Sequence, residues 1–93
     1  MPDPRDVSVL KLLSKIVHEM VDQPEFVIVT THVAEDGASF AIDVHPGDIG
    51  KIIGRQGRNA KSLRIVLSAI GKKLHRRYVI EVDGEPVEAV ANP

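Results

Sequence analysis

The chain has no cysteine and no tryptophan, and its 93 residues include only two phenylalanines and one tyrosine. Without cysteine there can be no disulfide scaffold and no thiolate metal site, and the chain suits a reducing compartment. No uncharged apolar run is long enough to span a bilayer, so neither a transmembrane helix nor a membrane partner is expected. The opening residues, Met1-Pro2-Asp3-Pro4-Arg5-Asp6, lack a basic stretch followed by an apolar one. No secretory signal is therefore expected, and a cytoplasmic location is the expectation. The length admits one core and hence one domain. A composition 43% apolar and 27% charged is that of a folded domain, not of a disordered tail.

The formal net charge of −1 conceals a partition. Lys51, Arg55, Arg58, Lys61, Arg64, Lys72, Lys73, Arg76 and Arg77 lie between Gly47 and Tyr78 with one anion, Asp48. The remainder of the chain holds three cations and twelve anions. A local excess of this size points to an anionic partner, or else to a solvated helix face.

Asp3 and Pro4 form a helix start, with Asp6 adding negative charge to the first turn. Val9/Leu10, Leu13, Ile16/Val17 and Met20 then make one apolar stripe, widened by Val7, Leu12 and Val21, and Pro24 ends the helix near Asp22. Phe26 to Val33 is rich in β-branched residues and reads as a strand. Glu35-Asp36-Gly37 supplies a turn, with Gly37 suited to positive φ. Ser39 to His45 alternates, with Phe40, Ile42 and Val44 on one face. A short helix is expected over Ile49 to Ile53, capped by Asp48 or its neighbour, and a longer one from Arg58 to His75 with Leu63, Val66/Leu67, Ile70 and Leu74 inward. Arg77 to Asp83 is a third strand, with Tyr78, Ile80 and Val82 sharing a face, and residues 84–93 read as a flexible C-terminal tail. The order α-β-β-α-α-β predicts an α+β domain over residues 1–83, helices on one face of a three-stranded mixed sheet.

The distinctive string is Gly50-Lys51-Ile52-Ile53-Gly54-Arg55-Gln56-Gly57-Arg58. Helix capping accounts for its glycines but not for cations at the elbow. Small residues at a helix start let a phosphate approach the backbone N–H groups. The spacing does not fit a P-loop, which needs Gly, four residues and Gly-Lys-Ser/Thr, nor the Gly-x-Gly-x-x-Gly of dinucleotide folds.

Ile52-Ile53-Gly54-Arg55-Gln56-Gly57, set between a short and a long helix, resembles the Ile-Ile-Gly-x-x-Gly signature of the KH domain, which grips a single strand of nucleic acid. The element order resembles its type II, prokaryotic arrangement over about residues 4 to 83. Pro46 to Arg58 followed by Ala60-Lys61-Ser62-Leu63-Arg64 is similar to the small bacterial single-KH proteins of the KhpA (YlqC) family. The resemblance implies that Gly54 and Gly57 hold the loop against single-stranded RNA, while Arg55 and Gln56 touch phosphates and sugars. Lys51, Arg58, Lys61 and Arg64 would extend the basic track, and Ile49, Ile52 and Ile53 would divide between groove floor and core. Many KH domains have a large aliphatic three residues after the second glycine; here it is Ala60, which widens the groove or suits this family.

The resemblance also implies pairing, as a homodimer or with a larger KH-containing partner of the KhpB (Jag) type, and roles in RNA chaperoning, cell elongation and cell-wall homeostasis. Ile65 and Ala69 lie off the inner stripe, where a dimer contact could form, and a pure protein-interaction module is the alternative reading. All three aromatics are expected in strands, so base contacts should be aliphatic rather than stacked. His18, His32, His45 and His75 are scattered without ligand spacing, and no serine has a base and acid near it. The chain is read as non-enzymatic, with no cofactor and no metal.

Overall fold

In the computed structural model, which describes residues 1–87, Asp3 caps the first helix, α1 (Pro4–Met20). Its carboxylate accepts the Arg5 N–H at 2.9 Å, and Pro4 fills the first helical position, where a missing N–H costs nothing. Val9, Leu13 and Val17 are buried one turn apart, whereas Leu12 is exposed. Val21 leaves the helix in an extended conformation. A single 3₁₀ turn, Pro24–Phe26, follows, so the first strand, β1 (Ile28–Ala34), begins two residues later than the β-branched run suggests.

The second strand, β2 (Gly37–Asp43), pairs antiparallel with β1, from Ile28 opposite Asp43 to Ala34 opposite Gly37. Gly37 is needed for a different reason from the expected one. It has no positive φ; a Cβ there would collide with the Arg77 backbone of the strand alongside. A 3₁₀ turn (Pro46–Asp48), the short helix α2 (Ile49–Ile53), a tight elbow (Arg55–Gly57) and the long helix α3 (Arg58–Leu74) cross over to β3 (Arg77–Val82). β3 runs parallel to β2, with Gly37 opposite Arg77 and Ile42 opposite Val82. Parallel neighbours require such a helical crossover.

All three helices cover one face of the sheet. Phe40 and Ile42 of β2 and Tyr78, Ile80 and Val82 of β3 share a parity and pack with Val9, Leu13 and Val17 of α1, Ile52 of α2, and Leu63 and Leu67 of α3. The inner stripe of α3 is narrower than expected, because Val66 is 49% exposed beside Ile65 at 51%. With 100° per residue, one helix cannot turn both Val66 and Ile70 as far inward as Leu63 and Leu67.

The sheet has four strands rather than three. Asp83 (φ 54°) and Gly84 (φ 77°) are consecutive left-handed residues that reverse the chain into β4 (Glu85–Pro86). Asp-Gly is the preferred pair for a two-residue hairpin turn, so the segment from Gly84 begins as a strand and not as the expected tail. β4 pairs antiparallel with β3, and Val87 donates its N–H to the Ile80 carbonyl at 2.8 Å. The rest of the expected tail, residues 88–93, lies outside the described residues. The sheet order is β1-β2-β3-β4.

Candidate nucleic-acid interface

The elbow between α2 and α3 is built on three residues of unusual backbone, Gly54, Gln56 and Gly57. Gly54 sits at φ 78°, ψ 170°, a region open essentially only to glycine. A Cβ there would also stand 2.6 Å from Asn59 Cγ and 2.8 Å from Asn59 N. Gln56 (φ 57°) and Gly57 (φ 76°) are both left-handed, and the Gly57 N–H donates to the Gly54 carbonyl at 3.1 Å. The tight turn leaves Arg55 and Gln56 exposed at its tip. Asn59 ties the elbow shut by donating its side-chain amide to the Lys51 carbonyl at 2.8 Å. No side chain caps the start of α3, and its first N–H, that of Arg58, donates to the Arg55 carbonyl.

Beside the elbow, Ile53, Gly57, Ala60, Lys61 and Val82 line a slot of about 190 Å³ whose opposite rim is Glu85 to Val87. The small side chain of Ala60, itself buried, makes room for it. The three isoleucines divide their work. Ile52 is fully buried and supports the site from the core, Ile53 lines the slot, and Ile49 is half-buried. Ile52 therefore presents no surface to a ligand, contrary to its place among the expected contact residues.

The cations of the basic segment separate into two groups. Lys51 Nζ lies 3.3 Å from Asp22 Oδ2 and 3.5 Å from Asp48 Oδ1. Its pKa is raised, chiefly by the bond to Asp22. Asp48 stands at the N-cap position of α2, as expected of it or its neighbour, but its side chain makes no cap bond there. Its buried carboxylate instead accepts the Asp22 and Gln23 N–H groups at 3.2 and 3.0 Å, anchoring the end of α1. Burial pushes the Asp48 carboxyl up, but those two N–H bonds and the Lys51 charge outweigh it and hold the pKa down.

Arg76 is also committed within the protein. It reaches Asp6 at 2.7 and 3.1 Å and donates to the carbonyls of Glu35 and Gly37 at 3.2 and 3.0 Å. Tyr78 donates its hydroxyl to the same Asp6 carboxylate at 2.8 Å. Burial, then the bond to Asp6, pushes the Tyr78 pKa up to about 12. The bond to Asp6 likewise raises the Arg76 pKa. Sequence reading missed this cluster because its members are 70 and 72 residues apart, and Asp6 had an adequate local role in the first turn of α1.

Arg55, Arg58 and Lys61 are exposed and have no carboxylate within 4.0 Å among the described residues. Arg58 donates to the Gln56 side chain at 3.3 Å at the tip. Arg64, half-buried, follows one turn later on the same helix face. Phe26, expected in a strand, lies in the 3₁₀ turn instead, exposed and edge-on to His45 at 4.8 Å. Among the described residues, no three His, Asp or Glu side chains are grouped to hold a metal, and no helix is long and apolar enough to cross a membrane.

The geometry is a glycine-hinged loop carrying outward cations beside an apolar slot, with an uncapped helix start between them. Comparison with known proteins agrees with it. Residues 11–82 match the family model described as KhpA/KhpB, KH domain. The chain is 44% identical over 73 residues to the RNA-binding protein KhpA of Halalkalibacterium halodurans, covering 76% of this chain and 93% of that protein. It is 42% identical over 64 residues to that of Aquifex aeolicus, covering 69% and 81%. The KhpA of Streptomyces coelicolor is 41% identical over 71 residues, covering 76% and 90%. The match spans α2, the glycine elbow, α3 and the whole parallel pair β2–β3, and the chain belongs to the KhpA/KhpB KH-domain family, which is not an enzyme family.

Proposed function

We propose that this chain binds single-stranded RNA through the elbow Gly54-Arg55-Gln56-Gly57, acting as a type II KH module in the cytoplasm. The observation that carries the reading is the elbow itself: Gly54 in a conformation closed to other residues and Gln56 and Gly57 both left-handed, holding Arg55 and Gln56 outward beside the slot of Ile53, Ala60 and Val82. Backbone phosphates sit against Arg55, Gln56 and Arg58, and Lys61 continues the track. Bases enter the slot and meet aliphatic walls. Lys51, held by two carboxylates, contributes less than its position in the motif implies.

A slot this narrow admits a splayed strand and not a duplex. Few contacts and the ordering of the strand make the affinity for a short oligonucleotide about micromolar. Binding of a short RNA and of duplex DNA, measured by fluorescence anisotropy over a range of salt, tests the reading. Tighter RNA binding is expected, with a log–log salt slope of about −0.7 per phosphate neutralised. Preference for duplex DNA defeats it.

Such a module serves as an RNA chaperone or post-transcriptional regulator without catalysis. The family resemblance adds a partner of the KhpB (Jag) type and a part in cell elongation and cell-wall homeostasis. A second reading, a protein-interaction module, is favoured by one observation: Ile65 and Val66 are about half exposed side by side on α3, with Ala69 exposed one turn on. This strip is assigned to a homodimer or to pairing with the larger partner. Ile65→Glu is expected to shift a sedimenting dimer to monomer, and an unchanged dimer moves the interface elsewhere.

A further inference from the structure

We propose a second phosphate site on the C-terminal half of α3, formed by Arg64, Ser68, Lys72 and Arg77, which extends the RNA track beyond the elbow. The proposal rests on the RNA reading above and adds the length of strand held. Between α3 and β3 lies an open groove of about 750 Å³, which these four residues line. Arg64, Ser68 and Lys72 are spaced four apart, so they continue the face of α3 on which Lys61 stands. Lys61 to Lys72 is eleven residues, or about 16 Å of helix at 1.5 Å per residue. The slot beside the elbow and this groove share Pro86 and Val87 as one wall. A strand leaving the slot therefore has a lined path along α3.

No carboxylate lies within 4.0 Å of Arg64, Lys72 or Arg77 among the described residues. Arg64 Nε is buried with no hydrogen-bond partner, and its Nη1 reaches only the Ser68 hydroxyl at 3.4 Å. A buried guanidinium N–H without an acceptor is costly, and a phosphate oxygen is the acceptor its geometry suits. Arg76 also borders the groove but is neutralised by Asp6. Among the described residues, the one carboxylate side chain along the groove is that of Asp36, whose carbonyl accepts the Arg77 N–H at 2.8 Å. Tyr78, protonated up to about pH 12, adds no negative charge.

An oligouridine series of four and twelve nucleotides, bound to three folded proteins, tests the site. The first is the parent, the second carries Lys72→Glu with Arg77→Glu, and the third carries Lys11→Glu with Lys15→Glu on exposed positions of α1. The two variants have the same net charge, and the multiple registers of a longer strand favour all three proteins alike. The parent is expected to gain at least about tenfold more from the longer strand than the Lys72/Arg77 variant does, with four-nucleotide affinity equal in both. Its salt slope should be steeper by about 0.7 per additional phosphate held. The Lys11/Lys15 variant should keep the parental gain. Equal gains in the parent and the Lys72/Arg77 variant, or an equal loss in the α1 variant, overturn the second site while leaving the elbow intact. A parent that binds neither length defeats the RNA reading and the second site with it.

Discussion

The two ends of α3 carry the same kind of side chain and put it to opposite uses. At the N-terminal end, Arg55 and Arg58 stand in solvent on a glycine elbow, without a carboxylate partner among the described residues. Just past the C-terminal end, Arg76 is buried, its guanidinium bonded to Asp6 and to two carbonyls of the β1–β2 connection. Arg55 and Arg58 stay available to an anion because no carboxylate among the described residues neutralises them. Arg76 does not, because its charge joins α1 to the start of β3, although Lys72 and Arg77 beside it have no such partner. A basic run thus contains both unpaired and structural cations, and the position of the carboxylates decides which is which.

The largest effect that separates the two ends is expected from replacing Arg55 and Gln56 together by Asp. This swings the charge at the elbow by three units at contact distance, and RNA affinity should fall at least about a hundredfold. Neither residue touches the core, so the melting temperature should hold within about a degree or two. A folded variant with parental RNA affinity would remove the loop from the interface. Gly54→Ala should also weaken RNA binding, by about tenfold, because strained backbone and contact with Asn59 force the elbow open. Binding and amide exchange of residues 54–59, followed by NMR, check it.

At the other end the loss should appear in stability and not in binding. Tyr78→Phe leaves the buried Asp6 carboxylate one donor short and should cost about 1–3 kcal/mol in denaturant unfolding. RNA affinity of the folded protein should be unchanged. A parallel loss of RNA affinity would mean that the two ends of α3 are coupled.

The pH dependence follows from the same pairs. Tyr78 has its folded pKa raised from 10.0 to about 12, so the stability it contributes is whole below pH 10 and is lost as pH rises towards 12. Asp3 has its folded pKa lowered from 3.8 to about 2 by the Arg5 bonds; its contribution is present above pH 3.8 and disappears as pH falls towards 2. Asp48 acts with the same sign as Asp3. Thermal melts across pH should therefore show an acid and an alkaline limb, the alkaline one reduced in Tyr78→Phe. The smallest effect is expected from Lys51→Gln. With its ammonium held by Asp22 and Asp48, RNA affinity should change less than about threefold, against a larger loss in Arg58→Gln. Equal losses would show that the Lys51 pairs open for the ligand.

Most of the frame was legible in one dimension because it depends on short-range order. Alternation picked out Phe40 and Ile42 in β2, and helical spacing picked out Leu13, Val17 and Leu67, since burial of one face imposes a fixed period. Gly54 and Gly57 were legible because a sharp elbow between helices restricts the residue type. The Asp83-Gly84 hairpin was equally local and was overlooked. Other features had no local signature. Gly37 is glycine because Arg77 passes beside it. Lys51 and Arg76 are held because Asp22 and Asp6 arrive from α1 and its end, although Asp48, three residues before Lys51, was within local reach. The sequence by itself determined the helices, the strands and the glycine elbow, because each follows from steric rules and periods acting over a few residues. Only the tertiary structure decided which of the cations remain available to an anion, because neutralisation requires a carboxylate in contact, and the packing of α1 on the sheet brings Asp6 to Arg76 from 70 residues away.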